Sequence, residues 1–366
     1  MGTVTMPAIS IPSRQLRRLI PAFFIVAALL FLTQQYLEVP TAKFLPGNAP
    51  ALGAAASCAA HGYTPYAAPS NSKRKRYVYD LIMVNTELDF LEIRLNTLYD
   101  HVDYFVVVES PKTFQMGAKD LILKQNWDRF AKYHDKIIYH ELEFPEGFNP
   151  PRAWDVENLQ RDAMFEQVLP FLTGVKAPVY GDVILVSDVD EIPRPSTVNV
   201  LRACHFPLRL TLYSRFYYYS FQFLHDGREW RHPQATIFRG KDGTIRPSHL
   251  RDGNGGIPIL REFQKGSFAN STWHCSSCFS TVAEFQNKTA SFSHVWMNKE
   301  KYRDPKRIVE AVRNGKDVWG RRVDTFHKLE NNRDLPDILL KEGDRFPWLI
   351  DRSQPNAGFT DYEPSS

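Results

Sequence analysis

Gly181-Asp182-Val183-Ile184-Leu185-Val186-Ser187-Asp188-Val189-Asp190-Glu191-Ile192-Pro193 is the stretch that decides the fold. Val183 to Val186 is an apolar run bounded by turn signals, which predicts a buried strand. Two carboxylates one residue apart follow it, and Pro193 ends the extended run. In a parallel α/β sheet, ligands bind outside the carboxyl ends of the strands, so Asp188 and Asp190 are expected there. Two hard oxygen donors at that spacing suit Mn2+ or Mg2+, with a substrate diphosphate completing the shell. An Asp-rich turn gives the same letters without a metal. The V-I-L-V run before the pair and the E-I-P after it favour the metal.

Upstream, Tyr79 to Asn85 (YDLIMVN) reads as a first strand. Leu88, Leu91, Leu95 and Leu98 then recur at helical spacing within 87–99. Tyr104 to Glu109 (YFVVVE) is a second strand, residues 121–134 a helix, and Lys136 to Tyr139 a third, short strand. Trp154 to Leu169 is a helix stopped by Pro170. This alternation predicts an α/β fold with a Rossmann-like, mostly parallel sheet flanked by helices. Downstream, the pattern is less regular. Residues 208–223 are aromatic and β-like, 241–272 loop-rich, and 282–288 and 305–314 helical. Residues 331–366 are polar, contain proline and show no period, so they read as a C-terminal extension.

The chain has 366 residues, 43% of them hydrophobic, enough for one large domain with appendages. Its net charge of +4 is modest. Much of the excess lies in Arg14, Arg17, Arg18 and Lys73-Arg74-Lys75-Arg76, so no nucleic-acid partner is implied. Leu19 to Leu32 is an uninterrupted apolar run. It is short for a span, but it extends through Leu37 with Tyr36 at the interface, and no small-x-small cleavage site follows closely. We therefore expect a cytosolic tail over 1–18, a signal-anchor helix over 19–37 and a type II orientation set by the arginines. Residues 38–76, rich in Ala, Pro, Gly and Ser, read as a stem whose closing basic run is solvated or open to dibasic cleavage. The folded domain is expected over 77–330. Asn270-Ser271-Thr272 and Asn287-Lys288-Thr289 are N-glycosylation sequons, consistent with a lumenal body. Cys275-x-x-Cys278 reads as a structural pair, a disulfide or packed thiols. A zinc site would need four ligands, and only His274 and Cys204 are at hand.

Taken together, these stretches resemble glycosyltransferase family 17. The resemblance is carried by Asn85-Thr86-Glu87-Leu88-Asp89 with Leu91 to Leu95, Phe105 to Ser110, Glu157 to Arg161, Ser187 to Pro193 and Trp273 to Phe279. It covers roughly residues 77–325. It implies a GT-A type fold whose less regular C-terminal half takes the acceptor. It also implies a metal-dependent, inverting transfer, by resemblance of N-acetylglucosamine from UDP-GlcNAc to a glycan or glycoprotein such as the N-glycan core mannose. The anchor, stem and sequons fit a single-pass type II protein of the Golgi membrane with its catalytic domain in the lumen. The animal bisecting enzymes of the family have Trp where this chain has Ser277, and their C-terminal portion differs from the Phe292-Ser293-His294-Val295-Trp296 found here.

In such a site Asp190 is the expected direct metal ligand, and Asp188 contacts the metal, a metal-bound water or the ribose. His294 is the expected third ligand, since imidazole also binds Mn2+. Asn85, Glu87 and Glu109, at the ends of the first two strands, and Gln160 and Arg161, on the helix before the metal strand, are expected to contact the donor. Arg161 could bond a phosphate or pair with Glu157 at i,i+4. Inversion requires a base for the acceptor hydroxyl. Asp252, Glu262, Glu284 and His274 are the options, with Glu262 preferred. Alternate residues of the run Phe216 to Phe221 could stack on sugar rings while the others face a core. Two rival functions use the same residues: a catalytically inactive glycan-binding protein of this fold, and a lumenal metal-dependent phosphohydrolase. The latter would need further ligands.

Overall fold

The computed structural model describes residues 53–68, 74–291, 293–321 and 324–364. Strands β1 (Val78–Val84), β2 (Tyr104–Glu109), β3 (Ile137–Glu141) and β4 (Val183–Asp188) form a parallel array in the order β3-β2-β1-β4. Alternate side chains of β1 leave on opposite faces, as strand geometry requires. Ile82 and Val84 join Phe105, Val107 and Leu185 against the helix Leu88–Leu98. Tyr79, Leu81 and Met83 join Val106, Val108 and Val186 against Met164, Phe165 and Leu169. Burial on both faces explains the near-continuous apolar runs of these strands. Each aliphatic side chain so buried contributes about 1.5–3 kcal/mol. The helix expected over 154–169 is α-helical only over Ala153–Ala163. It widens into a π-turn over Met164–Val168 and ends in a 3-10 turn over Leu169–Phe171 that contains Pro170.

Past the Asp188 turn the sheet changes character. β5 (Glu191–Pro193) pairs with β9 (Lys265–Ser276), and β9 runs parallel to β6 (Arg209–Tyr218). β7 (Ser220–His225), β8 (Gln234–Ile237) and β10 (Phe326–Lys328) complete it through antiparallel pairs. The expected α/β architecture is present, with a parallel N-terminal half and a mixed C-terminal one. The twelve-residue β9 falls largely inside the stretch read as loop. It is rich in small and polar residues. Its register against β6 shifts between Leu212 and Ser214, and Asn270 has a positive φ of 47°. No apolar alternation marks such a strand.

Both expected appendages need correction. Part of the sequence read as stem packs on the domain. A helix over Ala54–Ala60 lies against the helix Pro195–Ala203, and Cys58 is disulfide-bonded to Cys204. The basic run is not simply solvated. Arg74 pairs with Asp182, and the 6%-exposed Arg76 donates to the carbonyls of Gly181, Leu201 and Cys204. Gly181, at φ 99°, leaves room for Tyr66, which a side chain there would strike. The C-terminal segment is equally integral. Leu335, Ile338, Leu339, Phe346 and Leu349 join the main core. Arg352, fully buried, donates to the carbonyls of Tyr219, Phe279 and Ala357. The expected anchor over 19–37 lies outside the described residues. Among the described residues no helix is long and apolar enough to cross a membrane.

Candidate active site

The D-x-D turn is held from beneath by one buried cation. Arg94 is fully buried, and its guanidinium forms two 2.7 Å bonds to the Asp80 carboxylate. The same group donates to the carbonyls of Asp188 at 3.0 Å and Glu191 at 2.6 Å, and to the Ser187 hydroxyl. Arg94 thus fixes the backbone on both sides of Asp190. A charge buried this deeply is tolerated because nearly every donor has a partner.

From above, Arg251 closes on the same turn. It lies at the end of the short helix Pro247–Arg251 and reaches both Asp188 (2.6 Å) and Glu191 (2.6 and 2.8 Å). Arg161, only 1% exposed, takes the other Asp188 oxygen at 2.9 Å and holds Glu157 at 2.7 Å. The ion pair with Glu157 is therefore present, and a second one joins it. Burial by itself would raise the Asp188 carboxyl, but Arg161 and Arg251 outweigh it and hold it well below the usual carboxylate range. Glu191, buried likewise, is drawn down by Arg251 to about 2. It also accepts from the Trp230 indole N–H at 2.7 Å.

These residues lie at the foot of a cleft of about 970 Å3. Asn85, Glu87, Gln160, Arg161, Asp188, Asp190 and His294, all singled out from the sequence, line it. Arg161 and Arg251 bond Asp188 and leave Asp190, the less exposed of the two aspartates, to other partners. Asp190 Oδ2 is 3.7 Å from His274 Nε2. The His274 ring is stacked on Phe216 (4.9 Å, 14°), and its buried Nδ1 has no hydrogen-bond partner. A divalent cation fits this pair: one carboxylate oxygen and one imidazole nitrogen face the cleft, and phosphate oxygens and water can complete the shell. Two of the expected ligands have other partners in this structure. Both Asp188 oxygens are engaged by arginines. His274, not His294, stands beside Asp190. His294 packs edge-on to Trp154 at 4.9 Å, and burial lowers its pKa. Among the described residues no group of three or more His, Cys, Asp or Glu side chains is placed to hold a metal. The two-metal centre of a phosphohydrolase therefore finds no support there.

Glu87 caps the approach to the helix Leu88–Leu98 and is ion-paired with Lys288. Burial opposes its ionisation, but Lys288 more than compensates and its pKa is lowered. Lys288 in turn is held protonated, burial notwithstanding, by Glu87 and the nearby Asp190. Asn85 donates to the Ser291 hydroxyl at 2.9 Å. Glu109 is a correction. It is fully buried outside the cleft and accepts from the amides of Leu123 and Lys124 and from the Tyr139 hydroxyl, so it anchors the helix Ile122–Gln125.

Two of the expected bases are also displaced. Glu262 lies on the exposed helix Pro258–Phe263, away from the cleft, and pairs with Lys265 at 2.6 Å. Glu284 accepts from the Thr281 amide while Thr281 accepts from the Glu284 amide, a capping box for the helix Val282–Ser291. Asp252 and His274 do line the cleft. The aromatic run alternates as expected: Phe216 and Tyr218 line the cleft, and Tyr217 enters the main core. Cys275 and Cys278 are disulfide-bonded, in keeping with a structural pair. Of the sequon asparagines, Asn287 is exposed on its helix. Asn270 is partly buried, with its side-chain oxygen bonded to Arg194 at 2.7 Å.

Arg251, Lys288 and Trp230 were missed. Lys288 was visible only as the middle letter of a sequon, and Arg251 only as the start of a glycine-rich turn. Neither position carries a motif. Their partners are 60 to 201 residues away in sequence.

The model of glycosyltransferase family 17 matches residues 40–351. The human β-1,4-mannosyl-glycoprotein 4-β-N-acetylglucosaminyltransferase is 26% identical over 315 residues, covering 75% of this chain and 55% of its own. The rat protein of the same name is 25% identical over the same shares. The chain thus spans about half the length of these curated relatives. Among solved structures, the mannosyltransferase PcManGT from Pyrobaculum calidifontis, in complex with GDP-Man and Mn2+, aligns over 66% of this chain and 65% of its own, at 14% identity and a TM-score of 0.32.

Proposed function

The chain belongs to glycosyltransferase family 17 and is a glycosyltransferase, and on that premise we propose that it transfers N-acetylglucosamine from UDP-GlcNAc to a glycan hydroxyl with inversion. The observation that carries the reading is Asp190 beside His274 at the foot of the cleft, on a turn locked by Arg94 below and Arg251 above. Asp190 and His274 would hold Mn2+ or Mg2+, which when bound supplies Lewis-acid neutralisation of the leaving diphosphate. Lys288 adds a fixed positive charge beside the same carboxylate. Asp188, tied to two guanidiniums, orients the turn and presents its edge to the donor. Asn85 and Gln160, which line the cleft, would contact the donor. Asp252 is the one member of the expected carboxylate set that lines the cleft, and it is the base that receives the acceptor proton. The similarity of the curated relatives supports a mannose-containing N-glycan as acceptor. The apolar run at 19–32, extended through Leu37, supports a type II anchor, and with the stem and sequons it fits a Golgi membrane protein whose domain is in the lumen.

The test is UDP release by the purified full-length chain from a panel of UDP-sugars, with and without Mn2+ and N-glycan acceptors. We expect Mn2+-dependent release from UDP-GlcNAc, stimulated by acceptor. Asp190→Ala should lower it at least a thousandfold, and Asp252→Asn should lower it while donor affinity is kept. Calorimetry that finds no UDP binding would end the transferase reading.

A further inference from the structure

Trp230 stands at the junction of the charged and aromatic parts of the cleft. Its backbone is clamped to β6 by reciprocal bonds with Ser214, 2.9 Å from the Ser214 amide to the Trp230 carbonyl and 3.0 Å in return. Its indole N–H is fixed on Glu191. The ring lies against Phe216 (5.6 Å) and His274 (5.2 Å). An indole anchored at so many points is expected to be covered, yet 36% of Trp230 stays exposed and it lines the cleft. What remains open is a rigid apolar surface next to the Asp190–His274 pair. A pyranose offers the matching chemistry, a face of C–H groups with hydroxyls around its edge. Aromatic side chains supply such contact area at little entropic cost.

We propose that Trp230 is the platform on which the acceptor sugar, a neutral hexopyranose, stacks in the cleft beside the Asp190–His274 pair. This assignment rests on the transferase reading and specifies where the acceptor sits. Two variants separate the platform from the anchor. Trp230→Phe keeps an aromatic face and removes the N–H donor. Trp230→Leu removes the face as well. Glu191 keeps its bonds to Arg251 and to the Asp188 amide in both.

Two readouts are needed, both on the full-length protein. One is saturation-transfer NMR with the methyl glycosides of mannose, glucose and N-acetylglucosamine. The other is acceptor KM and UDP Kd in the transfer assay. We expect Trp230→Leu to lose glycoside binding and to raise acceptor KM at least tenfold, with UDP Kd changed less than threefold. Trp230→Phe should recover acceptor KM to within about threefold of wild type. Unchanged glycoside binding and KM in Trp230→Leu would overturn the proposal, as would equal damage in both variants, which marks Trp230 as a clamp for Glu191 only. Absence of glycoside binding by the wild type would also overturn it. If glycosides bind through Trp230 but no UDP-sugar is turned over, the platform stands and the transferase reading fails.

Discussion

Strands β1 to β4 and strands β6 to β9 meet at the Asp188–Glu191 turn, but they are held in different ways. The first group is joined by consecutive strand–helix units, and its side chains pack by apolar burial on both faces. In the second group, β6 pairs with β7, β8 and β9, and charged groups join apolar burial in fastening the pieces. Arg251 reaches Asp188 and Glu191, Arg194 reaches Asp334, and Arg352 gathers three carbonyls. Apolar burial is non-directional, so a strand of such residues is stable against almost any apolar neighbour. A buried guanidinium is stable only with particular partners, and removing one of them is expensive. The candidate site lies at the seam, where Arg94 ties Asp80 of β1 to the carbonyls of Asp188 and Glu191.

The strongest way to break this division is Arg94→Leu. It leaves the fully buried Asp80 carboxylate unpaired and frees the carbonyls on both sides of Asp190. We expect a loss of about 3–5 kcal/mol, read from urea unfolding, and transfer activity below detection. A stable but inactive variant would show that Arg94 positions the turn without supporting the sheet.

The same division explains what could be read in advance. Val183 to Val186 and Phe105 to Val108 announce themselves, because a strand buried on both faces must be apolar throughout. The two aspartates follow from where such a strand ends. β9 does not announce itself: Ser271 is buried there on hydrogen bonds to the Tyr213 and Phe268 carbonyls, and His274 by stacking on Phe216, not through hydrophobicity. Glu109 misleads for the converse reason. It stands at a strand end like a ligand-binding residue, but its carboxylate is used up by the amides of Leu123 and Lys124. Which carboxylate is free is decided by residues far away in sequence.

A smaller effect sharpens the contrast from the N-terminal side. The disulfide Cys58–Cys204 ties the segment before the sheet to the helix after β5, across a sequence separation of 146 residues. Neither cysteine lines the cleft. The paired change Cys58→Ser with Cys204→Ser should therefore cost about 2–4 kcal/mol, seen as a lower midpoint of thermal unfolding. Specific activity per folded molecule should not change. A drop in activity at low temperature would mean that the segment 53–68 communicates with the cleft.

The smallest effect separates the two groups by pH. His232, in the second group, is pushed down to about 4 by burial and by the Arg251 guanidinium. In the unfolded chain it titrates near 6.5. The unfolded state therefore binds more protons between those values. The stability His232 contributes is complete above pH ~6.5 and is lost as pH falls toward ~4, about 3 kcal/mol at most. Glu191 acts in a lower window. Its folded value of about 2 lies below its unfolded 4.5, so its contribution fades only beneath pH 4.5. Urea midpoints of the wild type should thus fall between pH 6.5 and 4.5, and those of His232→Gln should stay nearly flat over that range. Below pH 4.5 both proteins should weaken together, because Glu191 is common to them. Parallel curves throughout would remove His232 as the source, and the acid sensitivity of the closing half would then rest on its carboxylate–arginine pairs alone.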